Sequence, residues 1–282
     1  MKIFTKSVLA SLIFVTGSQM ATAENILVVM SDKDQLQLKG TDVYQTGFYL
    51  NELMQPVKLL LDAGHELTFV TPKGLAPTMD KVSDNVMFFG GNEQALKEHK
   101  ALLESLKLVD RIESPVISLS RVEQIGYDRF DAIYVPGGHA PMNDLLKDKQ
   151  MGTLLTYFHN NQKVTALVCH GPIALLSTLP NAEQFTDSLN AGKATEKPQG
   201  WIYSGYKMTV FSNDEEEAGK GWLGGGDMTF YPQTALELAG AEYSQSSEIW
   251  HPNVVVDREL ITGQNPASAV NVAQEIINRF DK

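Results

Sequence analysis

VTALVCHGPIALL, residues 164–176, decides how the rest of the chain is read. Val164 to Val168 is a continuous apolar run, the pattern of a parallel strand buried on both faces. Cys169 ends the run. His170-Gly171-Pro172 then opens a second element, and Ile173 to Leu179 reads as helical. A residue on such a strand-to-helix turn is held in a tight backbone conformation, with its side chain above the sheet edge. This is the geometry of a nucleophile elbow, although the G-x-S-x-G pattern itself is absent. Backbone N–H groups at the helix start favour a thiolate over a thiol, which predicts a depressed pKa for Cys169. Cys169 is the single cysteine of the 282 residues, so it cannot close an intramolecular disulfide. The expectation is a reactive nucleophile, not an inert core thiol.

Strands and helices alternate outward from this elbow. Asn25 to Met30 (NILVVM) is a buried strand, Gly47 to Ala63 carries helical spacing, and Gly64 supplies a stop. Glu66 to Val70 is the next strand, closed by Thr71-Pro72. This βαβ opening predicts a right-handed crossover and a parallel sheet. Residues 75–125 are less regular, with an amphipathic helix expected over Glu93 to Val109 and a short strand over Ser114 to Leu119. Ala132 to Val135 is a strand ending in Pro136-Gly137-Gly138, and Leu145 to Asn160 reads as a helix. Lys207 to Phe211 and Glu259 to Thr262 read as strands, and Ala267 to Phe280 as a closing helix. There is no internal repeat and no linker. The predicted fold is a single α/β domain, a doubly wound, mostly parallel sheet with helices on both faces, flavodoxin-like.

The first residues have the three parts of a secretory signal peptide: Lys2 and Lys6, the apolar run Ser7 to Gly17, and the small-residue pattern Ala21-Thr22-Ala23. The apolar run is shorter than the roughly 20 residues of a membrane span. Residues 1–23 are therefore expected to be removed, leaving a domain over residues 24–282 that is secreted, or periplasmic in a bacterium. No later stretch is long and apolar enough to cross a membrane, so no membrane partner is expected for the mature form. The formal charge of −11 becomes −13 without Lys2 and Lys6. An acidic chain with no basic run argues against nucleic-acid binding.

Ligands in open α/β sheets bind outside the carboxyl ends of the strands. Cys169 is at one such end and Gly137-Gly138 at another, where glycines let backbone N–H groups reach a substrate oxygen. His139 follows them and is placed as a pocket residue. His65, His99 and His159 read as surface residues, and His251 as a pocket wall or packed loop residue. No two histidines have zinc-ligand spacing, so no metal is expected. The run Asp214 to Glu217 reads as a solvated face, and Gly219 to Gly226 lacks the Lys-Ser/Thr of a phosphate loop.

AIYVPGGHAPMNDL (132–145), ALVCHGPIALL (166–176) and LITGQNPAS (260–268) together resemble the ThiJ/PfpI superfamily, with its glutamine-amidotransferase-like fold. TGFYLNEL (46–53) resembles its branch of heat-shock chaperones and glutathione-independent glyoxalases. The resemblance implies a catalytic Cys169, a neighbouring His170 and, from the first helix, the carboxylic acid Glu52. It also implies a third carboxylate after the strand ending in Phe211. The candidates are Asn213, Asp214 and Glu216, with Glu216 favoured. Asn51 departs from relatives that often carry Pro or Trp there.

The activity so implied is conversion of methylglyoxal-like dicarbonyls to 2-hydroxy acids, D-lactate from methylglyoxal, with no cofactor or glutathione. Glu52, if buried, would stay protonated and shuttle a proton, with His170 as general acid/base. Two other readings use the same residues: a stress-response chaperone or redox sensor, and an amidase or peptidase. A homodimer is usual in the resembled family.

Overall fold

The computed structural model describes residues 23–40, 42–193 and 196–281. Of the expected signal segment only Ala23 falls among them. The strands are β1 (Asn25–Val29), β2 (Gln35–Gln37), β3 (Val43–Gln45), β4 (Glu66–Thr71), β5 (Ile117–Ser118), β6 (Ala132–Val135), β7 (Val164–Val168), β8 (Lys207–Met208), β9 (Glu242–Tyr243), β10 (Val254–Asp257) and β11 (Leu260–Gly263). The helices are α1 (Leu50–Asp62), α2 (Glu93–Ser105), α3 (Leu119–Ile125), α4 (Lys149–Asn160), α5 (Ala182–Asn190), α6 (Asn213–Gly219), α7 (Pro232–Ala239) and α8 (Ala269–Phe280). Among the described residues, no helix is long and apolar enough to cross a membrane.

Seven strands make one sheet in the order β10-β11-β7-β6-β1-β4-β5. Only the β10–β11 pair is antiparallel. The apolar runs are continuous because both faces are covered. Ile26, Val28, Tyr134 and Val168 pack into the core under α1, α2 and α8, while Leu27, Val29, Ile133 and Leu167 alternate into the core under α4 and α7. This two-residue period within an all-apolar strand is what a doubly covered parallel sheet requires.

Several elements differ from the sequence reading. The hairpin β2–β3 and strand β10 fall in stretches to which the sequence reading assigns no strand. The strand expected over Lys207 to Phe211 shortens to β8 and pairs with β9 outside the main sheet. There Thr209 N–H donates to the Thr262 hydroxyl at 2.9 Å, a side-chain acceptor that a ladder cannot continue from. The segment after the elbow, Gly171–Thr178, is a 3-10 helix, not an α-helix. The Leu175 carbonyl, which an α ladder would have paired with the Leu179 N–H, accepts instead from the Trp201 indole at 3.0 Å and the Thr178 hydroxyl at 2.7 Å.

Pro56 lies inside α1 and has no N–H to donate to the Glu52 carbonyl one turn earlier. The Tyr134 hydroxyl donates to that carbonyl instead. A proline in the helix thus ties its first turn, and Glu52 with it, to the central strand β6.

Candidate functional site at the Cys169 elbow

Cys169 has φ +59°, a left-handed conformation rare for a residue with a side chain. Such strain costs on the order of 1–3 kcal/mol and persists only where surrounding structure imposes it. The imposing contacts are on both sides: Cys169 N–H donates to the Gly263 carbonyl at 2.9 Å, and its own carbonyl accepts from Phe211 N–H at 3.0 Å. The elbow is therefore stitched between β11 and the chain leading into α6.

Glu52 and His170 flank the thiol, His139 and Glu216 pack on His170, and all are buried. Gly137 admits the first two. A Cβ there would lie 2.4 Å from Glu52 Oε2 and 2.6 Å from Cys169 Cβ. Gly138, at φ +80°, passes so close to the Gly47 carbonyl that a Cβ would sit 2.1 Å from it. The Gly137 N–H donates to Glu52 Oε2 at 2.8 Å. That amide is committed to the carboxyl and is not free for a substrate oxyanion, contrary to the expectation for Gly137. The Gly138 N–H favours the ionised forms of both the Cys169 sulfur and the Glu52 carboxyl.

His170 Nδ1 is 3.3 Å from Cys169 Sγ, and its Nε2 is 2.9 Å from Glu216 Oε1. Of the three candidates for the third acid, only Glu216 reaches the imidazole. Asn213 bonds Thr234, and Asp214 bonds Gln245. The Asp214–Glu217 run is not a solvated face. Glu215 and Glu216 are buried, because α6 turns that side toward the elbow.

Burial governs the protonation of every group in this cluster. It pushes Glu52 up to about 8, against the opposing pull of the Cys169 thiol and the Gly137 amide. It pushes Glu216 up to about 7 and holds His139 and His170 down to about 3. The His170–Glu216 pair thus shares a proton near neutrality. Burial also raises the Cys169 thiol, reinforced by the Glu52 carboxylate. This corrects the expected depression: a 3-10 turn replaces the helix, and desolvation exceeds what backbone amides return. Cys169 and Glu52 form a coupled pair that resists losing both protons, because two like charges would then share one buried space.

Sequence reasoning missed Tyr49 as a site residue and took Asn51 only as a departure from relatives. Seven buried side-chain polar atoms among the described residues lack a hydrogen-bond partner, and four belong to Tyr49, Asn51, Glu52 and His139. Buried polar groups are normally paired, so four orphans in one neighbourhood mark a site built for a ligand. Tyr49 is the N-cap of α1 and Glu52 lies in its first turn, a proximity that could have flagged the tyrosine.

A cavity of about 630 Å³ is lined by Asn51, Phe88, Trp222 and Trp250 among others, and it meets the Cys169 cluster only through their neighbours. Trp250 packs on Phe211 at 5.8 Å, and Phe211 stacks on His170 at 4.8 Å between ring centres. The remaining histidines lie away from this cluster. His65 and His99 are buried, not exposed, packed on Phe280 and Phe89. His159 bonds Glu259 at 2.9 Å, and exposed His251 faces Glu248.

A thiol on a strained elbow, set at the carboxyl edge of a flavodoxin-like sheet beside a buried carboxyl, defines a cysteine-centred α/β protein. The chain belongs to the ThiJ/PfpI family, whose ThiJ/PfpI family-like profile matches residues 43–208. It is 27% identical over 276 residues to the probable glutathione-independent glyoxalase hsp3103 of Schizosaccharomyces pombe, covering 90% of this chain and 97% of the relative. It is 23% identical over 255 residues to the protein/nucleic acid deglycase HchA of Pseudomonas aeruginosa, covering 89% and 79%. Its fold matches the crystal structure of glyoxalase III from Candida albicans with a TM-score of 0.67 at 20% identity, over 93% of this chain and 98% of that one. Relatives of this kind carry the names of glyoxalases and deglycases, so the likeness to glyoxalase-type proteins holds at the level of the family.

Proposed function

We propose that this protein is a cysteine-dependent, glutathione-independent glyoxalase that converts methylglyoxal-like 2-oxoaldehydes to 2-hydroxy acids, D-lactate from methylglyoxal. The observation that carries the reading is the placement of Cys169 Sγ between the Glu52 carboxyl and His170 Nδ1. Sγ attacks the aldehyde carbon C1 as its proton passes to His170 Nδ1. Glu52 protonates the former aldehyde oxygen, which gives a hemithioacetal. The Glu52 carboxylate then takes the hydrogen from C1. The C1–H electron pair becomes a C1–C2 double bond, and the C2 oxygen takes the proton from His170, giving an enediol. Its C1 hydroxyl returns a proton to His170 while Glu52 delivers its proton to C2, leaving a thioester. Water attacks C1 and gives a proton to Glu52. The C–S bond breaks and the sulfur recovers its proton from His170.

A carboxyl pushed up to about 8 suits this work, being acid enough to donate and basic enough to take a proton near neutrality. The unpaired Tyr49 hydroxyl is a donor for the C2 oxygen. The test is lactate release from methylglyoxal by the purified chain and by Cys169→Ala. Absence of lactate from the intact chain overturns the reading. Export belongs to the same proposal, and N-terminal sequencing of the mature protein should begin at Glu24.

The cavity lined by Asn51, the neighbour of Glu52, favours a second reading, deglycation of carbonyl adducts, since about 630 Å³ is more room than a three-carbon dicarbonyl needs. Faster turnover of a bulky adduct than of methylglyoxal would select it.

A further inference from the structure

We propose that His139, His170 and Glu216 form a binding site for a borderline divalent cation of the Zn²⁺ class, and that occupation of this site switches the thiol chemistry off. The three come from separate parts of the chain: the loop after β6, the elbow after β7, and α6. One ligand atom from each lies within 4.8 Å of the others. Their sequence spacing carries no metal motif, because the folded sheet, not a local turn, assembles them.

Three observations join in this cluster. The donor set of two imidazoles and one carboxylate is that of open zinc sites, which keep a fourth position for water. All three side chains are buried and fixed, His139 by ring contacts with Tyr44, Tyr49 and His170. His139 Nδ1 is buried and has no hydrogen-bond partner, although it lies among polar groups. A nitrogen left bare inside a protein forfeits a bond that a metal ion would restore.

The location dictates the consequence. An ion between His170 Nε2 and Glu216 Oε1 takes the place of the proton these atoms now share across 2.9 Å. An imidazole ligated through Nε2 carries its proton on Nδ1. Nδ1 is the atom 3.3 Å from Cys169 Sγ, so His170 could no longer accept the thiol proton. The sulfur faces the opposite ring nitrogen and is not itself a ligand. The inhibition rests on the glyoxalase reading above, whereas the binding rests on the geometry alone.

The binding test needs no substrate. The metal-free full chain is titrated with Co²⁺, and with Zn²⁺ in competition with a chromophoric chelator. One equivalent should bind, with the d–d absorption of a low-coordinate Co²⁺ site and no sulfur-to-cobalt charge-transfer band. His139→Gln and Glu216→Gln should each weaken binding by about tenfold or more, and Cys169→Ser should leave it unchanged. Absence of stoichiometric binding to the wild type overturns the site, whatever the variants do. Unchanged affinity in a folded His139→Gln overturns it too, as does a charge-transfer band lost in Cys169→Ser, which puts the ion on the thiol. If Co²⁺ binds as described while lactate formation is unaffected, the switch fails and the site stands.

Discussion

Glu215 and Glu216 are neighbours on α6 with divided tasks: Glu215 holds the helix in place, and Glu216 faces His170. Glu215 accepts from the Ser212 backbone and hydroxyl, the Trp250 amide, and the side chains of Gln264 and Asn265. Removing it orphans several buried donors, each worth roughly 1–3 kcal/mol. Glu215→Ala should therefore lose about 3 kcal/mol or more in chemical denaturation. Glu216→Ala should fold nearly as well but lose most of its turnover. Equal stability losses in the two variants would contradict this division.

Glu52→Gln tests the proton shuttle. The amide keeps the shape and can donate a hydrogen bond, but it cannot release and recover a proton. Lactate formation should fall about 100-fold or more, the usual scale for a lost general acid–base group. Cys169 should still be alkylated by iodoacetamide in this variant. Unimpaired turnover would remove Glu52 from the mechanism.

The same variant has a thermodynamic signature. The Glu52 carboxyl titrates at about 8 in the folded chain and at about 4.3 in an unfolded one. The stability it contributes is complete below the unfolded value and is lost as pH rises through about 8; Glu216 adds a parallel loss up to about 7. His139 and His170 act oppositely, since groups held down to about 3 restore stability as pH climbs toward their unfolded value of about 6.5. The melting temperature of Glu52→Gln, relative to wild type, should rise steadily between about pH 5 and 8 and level off above that. A difference that stays flat across that range would show that Glu52 titrates normally.

Tyr49→Phe separates ligand binding from folding. The phenol is buried and unpaired, so its removal breaks no bond within the protein. Stability should change by less than about 0.5 kcal/mol. If the hydroxyl serves the substrate, kcat/KM should drop by about 10-fold, one hydrogen bond's worth. A stability loss with unchanged kinetics would assign the hydroxyl a structural role.

The parallel sheet was legible because NILVV, AIYV and VTALV are apolar at nearly every position, which a doubly covered strand requires. The elbow was legible because an apolar run stops at Cys169. The short strands were legible only in part. β5 and β8 lie inside the strands expected over Ser114 to Leu119 and Lys207 to Phe211 but span two residues each, and β2, with three, is too short for any period to register. The burial of Glu215 was hidden for a different reason. Five consecutive acidic or amide-bearing positions, Asn213 to Glu217, look solvated until tertiary donors from Trp250, Gln264 and Asn265 arrive. The thiol's ionisation was misjudged because local helix electrostatics can be read from the chain, whereas desolvation depends on what packs around it.

The four unpaired atoms of Tyr49, Asn51, Glu52 and His139 give the folded state an unspent reserve. Any small molecule that satisfies them binds the native chain and not the unfolded one, so mass action displaces the unfolding equilibrium. At a hundredfold excess over its dissociation constant, a ligand adds about 2.7 kcal/mol. With Cys169→Ser to prevent turnover, a melting-temperature screen of carbonyl compounds would rank ligands with no catalytic assay, and the protein would report its own substrate class as heat resistance.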